Sequence, residues 1–173
     1  MNGFRFCPRC GSTLRMREIG GQGRLGCAET GCDYVHWDNP VPVVAALVER
    51  DGMVVLARNH AWPPKMFGLI TGFLERDETP ERAAAREVKE ELDLDAAGVS
   101  LIGNYAFSRK NEIILAYHVI ATGEVSLNEE LAEFRLIPPQ KLRPWPFGTG
   151  LALRDWLVGR GICPVMAETK GGA

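Results

Sequence analysis

The chain has 173 residues and 46% hydrophobic content, enough for one domain with a real core plus a small appendage. Twenty basic against 22 acidic residues leave a net charge of −2, so no global field draws it to nucleic acid or an anionic membrane, and a small-molecule partner is expected. No apolar run approaches the ~20 residues that span a bilayer, and MNGFRFCPRC lacks the apolar segment of a signal peptide, so a cytoplasmic location is expected.

In a reducing compartment the five cysteines read as metal ligands or core residues, not as a disulfide framework. Cys7, Cys10, Cys27 and Cys32 are spaced C-x2-C-x16-C-x4-C. A C-x2-C turn closed by glycine, here Gly11, lets two thiolates converge on one ion, and a second such turn completes tetrahedral coordination. The spacing predicts a zinc ribbon over residues 1–38, with a looser second knuckle. About forty residues hold no core of their own, so Zn²⁺ is the expected staple. Its role is structural, because four thiolates leave no open position. Residues 1–38 carry five arginines (5, 9, 15, 17, 24) against four acids (18, 29, 33, 38), a balance that argues against nucleic-acid contact. His36 is a spare ligand only in principle, and Cys163 reads as a small apolar residue.

Asp38-Asn39-Pro40 ends the ribbon, and residues 39–162 form the main domain. Runs at 41–49 and 53–58 around Asp51-Gly52 predict a hairpin. A proline-broken loop at 59–65 leads to a short strand at 66–70. Thr79-Pro80 is a helix start, threonine suiting the N-cap and proline the first helical position, so a helix runs from Pro80 to Leu92. Strands follow at 99–107, 112–121 and 134–137, and a helix at 148–159 packs through Leu151, Leu153, Trp156, Leu157 and Ile162. Residues 163–173 are expected to form a flexible tail. Strands on both sides of a central helix, closed by a second helix, describe an α/β/α sandwich with a mixed sheet.

On the first helix, Glu87, Glu90 and Glu91 fall within an arc of about 100°, beside the apolar stripe Ala84, Val88 and Leu92. Like charges at these spacings repel, at a few tenths of a kcal/mol each. A solvated face softened by Arg82, Arg86 and Lys89 would tolerate them; a divalent cation, which takes carboxylate, water and phosphate oxygens, would require them. Helix geometry alone leaves both readings open.

Gly72, Glu78 and the run Arg86-Glu87-Val88-Lys89-Glu90-Glu91-Leu92-Asp93-Leu94 resemble the Nudix box, G-x5-E-x7-R-E-U-x-E-E-x-G-U with U aliphatic. One specified position departs, Asp93 standing where the family has glycine. Aspartate tolerates the left-handed backbone expected there, so the turn should survive. The resemblance implies a Nudix fold and hydrolysis of a pyrophosphate bond. It implies Mg²⁺ or Mn²⁺ held by Glu87, Glu90 and Glu91 with the Gly72 carbonyl, Arg86 orienting a glutamate, and Glu78 supporting the loop. Glu130, in LNEELAEF, stands where relatives with a ribbon carry a further ligand; Glu129 and Glu133 are close enough to take that place instead, and an exposed, ligand-free role is open to all three.

A ribbon ahead of the box is similar to the NADH pyrophosphatase group, with Phe73 as a candidate base stacker. That group's S-Q-P-W-P-F-P-x-S array is absent after the box; Pro144-Trp145-Pro146-Phe147 lies too late, and Phe107, Ser108 and Asn111 occupy the expected place. The layout is also similar to plant-type ribbon-bearing members that act on FAD and ADP-ribose. The implied substrate is a pyrophosphate attached to adenosine (NADH, ADP-ribose or FAD), with AMP released. A catalytically silent nucleotide or RNA sensor is the competing class. Trp62, Trp145 and Phe147 are aromatic residues in proline-rich loops, suited to ring stacking or to packing. Dimers are frequent among relatives, so a homodimer is a further expectation.

Overall fold

The computed structural model describes residues 3–168. The chain divides into two compact units, one ending at Pro40 and the other beginning at Val41. Among the described residues no helix is long and apolar enough to cross a membrane.

The first unit is an antiparallel sheet of β1 (Leu14–Ile19), β2 (Gln22–Cys27) and β3 (Val35–His36), in the order β1-β2-β3. Gly20 and Gly21, at φ 62° and 75°, form the two-residue turn between β1 and β2, where two positive φ values are needed in succession. Its buried apolar set is only Cys7, Leu14 and Cys27, with Leu25, Cys32 and Tyr34 packed around them.

The second unit contains β4 (Val41–Arg50), β5 (Met53–Asn59), β6 (Ile70–Phe73), α1 (Pro80–Leu92), β7 (Asp95–Phe107), β8 (Glu112–Thr122), β9 (Leu131–Ile137) and α2 (Thr149–Gly159). The sheet order is β7-β8-β4-β5-β9, with β6 also paired to β4. β4 and β8 run parallel and the other pairs antiparallel, which makes the sheet mixed. Val43 through Val48 are all buried, because both faces of β4 are covered. Val44, Ala46 and Val48 meet Ala84, Val88 and Leu92 of α1; on the opposite face Leu47 meets Leu153 and Leu157 of α2. This is the α/β/α sandwich that the strand and helix pattern implied.

The strand expected at 66–70 lies later, at Ile70–Phe73, and includes Gly72. Gly68 is held only by a single bridge to Ala57, while the register against β4 starts at Ile70. β7 begins at Asp95, four residues before the expected 99, and absorbs its extra length through two register shifts. α1 has its expected limits: Thr79 caps it by accepting from the Arg82 N–H at 3.4 Å, and Asp93 ends it in a left-handed conformation (φ 54°, ψ 24°). Lys89 steadies that exit through Asp93 at 2.8 Å and Asp95 at 3.0 Å.

α2 is anchored by Leu153, Trp156 and Leu157, with Ile162 packed alongside and Leu151 only half-buried. At its C-terminal end Glu49 accepts from Arg160 at 2.6 Å and lies 2.7 Å from His118, and the side chains of Arg160 and His118 both lie against the Trp156 ring. The Arg160 and His118 contacts overcome the burial of Glu49 and hold its carboxyl below the usual range. Beyond α2, the Ala167 N–H donates to Pro144 O at 2.8 Å; residues 169–173 of the expected tail lie outside the described residues. Trp156→Ala removes the common wall of this cluster and is expected to cost about 3–5 kcal/mol, read as a lower denaturant midpoint in equilibrium unfolding.

Candidate metal and active sites

In the ribbon, the four sulfurs of Cys7, Cys10, Cys27 and Cys32 lie within 4.8 Å of one another. Cys7 and Cys32 are 3.8 Å apart and Cys10 and Cys27 3.5 Å, close to the edge of about 3.8 Å for a tetrahedron with Zn–S bonds near 2.3 Å. Both knuckles aim a backbone N–H at a sulfur, Arg9 at Cys7 (3.4 Å) and Glu29 at Cys27 (3.5 Å). The longer second loop therefore keeps the same local geometry. The Ser12 amide and hydroxyl lower the Cys10 thiol to about 6. Although the Glu29 N–H favours its thiolate, burial and the neighbouring thiols push Cys27 up to about 12. Four sulfurs this close cannot all ionise without a cation, and the donor set fits Zn²⁺. His36 is outside the cluster, stacked on Phe4 at 4.6 Å and 3.6 Å from Asp38.

In the second unit the acids of α1 converge with β6 and the loop before β9. Arg86 donates to Glu78 at 3.0 Å, to Glu87 at 2.7 Å and to Glu90 at 2.9 Å, and also to the Phe73 carbonyl at 3.2 Å. Glu78 in turn accepts from the Glu75 N–H, so one guanidinium ties the loop before α1 to the helix. A Cβ on Gly72 would collide with the Glu87 carboxylate, which explains glycine in the middle of a strand.

Glu91 is different: it is 9% exposed, the one charged residue in the buried set, and none of the described cations pairs with it. Burial first, then the charges of Glu87, Glu130 and Glu90, raise its carboxyl to about 8. Glu87 is raised too, chiefly by burial. Glu91 and Glu130 both line a cleft of about 60 Å³, with Asn59, Trp62 and Thr71 among its walls. Glu130 is brought there by a stapled loop. Ser126 and Asn128 donate backbone N–H groups to the Leu92 and Glu91 carbonyls, and the Asn128 side chain accepts from the Glu130 and Leu131 N–H groups. The sequence pattern offered no signal for Asn128, because its role depends on where α1 ends. The structure thus brings Glu78, Arg86, Glu87, Glu90, Glu91, Gly72 and Glu130 together.

Phe73 is exposed at the end of β6, beside this cluster. Phe107 packs with Ile114 and Ala152 on the α2 side of the sheet. Ser108 and Asn111 stand in the turn between β7 and β8. None of these three lines the cleft by Glu91. Trp62 does line it, lying against Gly68, where a Cβ would be 3.0 Å from the ring. Trp145 packs against the start of α2 at Gly150, and Phe147 stacks with Arg109 at 5.6 Å.

Carboxylates converging from one helix and a facing loop, with Glu91 buried among them, mark this end of the mixed-sheet sandwich as the candidate active site. The NUDIX domain model matches residues 39–155, and the chain belongs to the Nudix hydrolase family. It is 30% identical over 114 residues to "NAD-capped RNA hydrolase NudC" of Vibrio atlanticus (strain LGP32), covering 66% of this chain and 41% of that protein. It is 27% identical over 168 residues to the protein of the same name from Pseudomonas putida (strain F1), covering 94% and 59%. The chain therefore spans about half the length of these relatives. A NUDIX hydrolase structure from Nitrosomonas europaea shares the fold, with a TM-score of 0.69 at 22% identity over 94% of this chain and 96% of that one.

Two outcomes are expected. Cys27→Ser should lose most of the bound zinc in a colorimetric assay and make the first unit protease-sensitive, while the unit from Val41 keeps its melting transition. For Glu91, an ordinary value of 4.5 rises to about 8 on folding, so the folded state holds the extra proton between these values. Its contribution is fully present below about 4.5 and is lost as pH rises toward 8, at roughly 1.4 kcal/mol for each pH step of one and a few kcal/mol in all. Without added Mg²⁺, Glu91→Gln should therefore melt higher than wild type at pH 8, and the gap should close by pH 5.

Proposed function

We propose that the chain is a divalent-metal-dependent pyrophosphohydrolase acting on a nucleoside diphosphate joined to a second moiety. The observation that carries this reading is Glu91, a buried acid with no cationic partner among the described residues, close to the charges of Glu87 and Glu130. Such an arrangement costs stability unless a proton or a cation is taken up. The donors are all oxygen, which suits Mg²⁺ or Mn²⁺. Glu87, Glu90, Glu91 and Glu130, with the Gly72 carbonyl, would hold the ions. A divalent cation held by these residues would supply charge neutralisation of the diphosphate and a more acidic water for hydrolysis.

The chain's own groups do the rest. Arg86 fixes the rotamers of Glu87 and Glu90, and Glu78 fixes Arg86. Asn128 holds the Glu130 loop against the end of α1. Phe73 and Trp62 are the aromatic surfaces beside the carboxylates and suit stacking on a base. Ser108 and Asn111, at the tip of the β7–β8 turn, are assigned to more distant parts of the substrate. Adenosine-linked pyrophosphates are favoured: NADH, ADP-ribose, FAD or, following the name of the relatives, an NAD-type cap on RNA.

The test is incubation of the zinc-loaded protein with Mg²⁺ and NADH, NAD⁺, ADP-ribose, FAD, diadenosine polyphosphates and sugar nucleotides, with AMP measured. At least one should be turned over, and Glu91→Gln should lower kcat by ~10²-fold or more. Turnover of none, or equal turnover by the variant, refutes the reading.

A further inference from the structure

The cleft by Glu91 has a wall that lies outside the carboxylate pattern, the turn that follows β5. The Asn59 side chain accepts the Ala61 N–H at 2.9 Å, and the Trp62 N–H donates to the Asn59 carbonyl at 3.0 Å. Together they close a tight turn over residues 59–62 and fix where the Trp62 side chain leaves the backbone. The ring of Trp62 lies on Gly68, where a Cβ would be 3.0 Å from two ring carbons. Gly68 is itself fastened to Ala57 by backbone bonds at 2.9 and 3.0 Å, so the ring rests on a fixed floor.

The same turn holds the chain that carries Glu130. Arg58 pairs with Glu133 and Asn59 with Leu131, which leaves Ala132 as an extra residue in β9. A bulge of this kind re-aims the residues beyond it. Next to it the His60 N–H donates to the Glu130 carbonyl at 3.0 Å, and His60 stands within the Asn59–Trp62 turn. Glu130 is therefore gripped from two sides, by the Asn128 side chain on its own loop and by His60 at the end of β5. Glu133, before the bulge, is engaged instead by Arg58 at 2.6 Å.

Asn59, Trp62 and Glu130 line the cleft together with Glu91. Its volume of about 60 Å³ suits an ion with a few waters and is too small for a nucleobase. We propose that Trp62 is a positioning residue for Glu130. Its ring on Gly68 sets the turn, the turn sets the Glu130 backbone through His60, and the reach of the Glu130 carboxylate to a divalent ion follows. Of the two aromatic surfaces beside the carboxylates, Trp62 then belongs to the metal side, and Phe73, exposed at the end of β6, is left for the base. The inference rests on the proposed function in taking Glu130 as a ligand.

The experiment measures Mn²⁺ binding to the zinc-loaded full chain without substrate, from the loss of the free-ion EPR signal. Trp62→Ala should weaken binding by about tenfold, the scale on which groups that orient a ligand act. Trp62→Phe keeps a ring against Gly68 and should restore most of the affinity. In a Glu130→Gln background Trp62→Ala should have no further effect, because it acts through Glu130. With saturating Mg²⁺, the KM for a dinucleotide should not change. Gly68→Ala, at a backbone angle that alanine adopts, pushes the ring off its floor and should weaken Mn²⁺ in the same direction; it decides the matter if Trp62→Ala does not fold. The proposal fails if these variants bind Mn²⁺ as wild type does, if Trp62→Ala and Glu130→Gln add independently, or if Trp62→Ala raises KM and leaves Mn²⁺ affinity alone. Wild type that binds no Mn²⁺ refutes both this inference and the proposed function. Trp62-dependent Mn²⁺ binding by a chain that hydrolyses no pyrophosphate refutes the proposed function alone.

Discussion

Like-charge repulsion at the end of α1 is the constraint on which the site depends. Glu87, Glu90 and Glu91 are forced together by helix geometry, and Glu130 is added to them from outside. Among the described residues Arg86 is the cation placed among them, and it is engaged by Glu78, Glu87 and Glu90. Glu91 is left buried and uncompensated, with its carboxyl raised to about 8. An oxygen-liganded cation would suit these donors and relieve that crowding.

The scaffold explains how such a cluster survives. β4 is buried on both faces, so α1 is clamped to the sheet through Ala84, Val88 and Leu92, one stripe away from the acids. The other face of the sheet is closed by α2 through Leu153 and Leu157. Against that rigid backing, β6 passes close enough to α1 that Gly72 has no room for a side chain. The left-handed Asp93 turns the chain straight into β7, and the Leu92 and Glu91 carbonyls that the helix leaves free receive N–H groups from the loop carrying Glu130.

The ribbon solves the opposite problem. Its apolar set is small, and four convergent cysteine sulfurs that fit Zn²⁺ stand where a core would be. A metal ion held by these sulfurs would supply the cohesion on one side of the sheet and leave the other side free to carry charge.

Much of this is legible in the chain itself. The box spacing, the Thr79-Pro80 start and the C-x2-C and C-x4-C pairs are local patterns whose geometry follows from helix pitch and turn chemistry, and they identified α1, the four sulfurs and the sandwich. The strand at 66–70 was misplaced because β6 is defined by its pairing with β4, which no local propensity encodes. The sequence by itself determined which acids share a helix face and which cysteines converge. Only the tertiary structure decided that Glu91 has no cationic partner among the described residues, that Asn128 delivers Glu130, and that Arg15, Arg17 and Arg24 share one face of the ribbon sheet. Those are properties of burial and cross-strand register, and both depend on residues far apart in the chain.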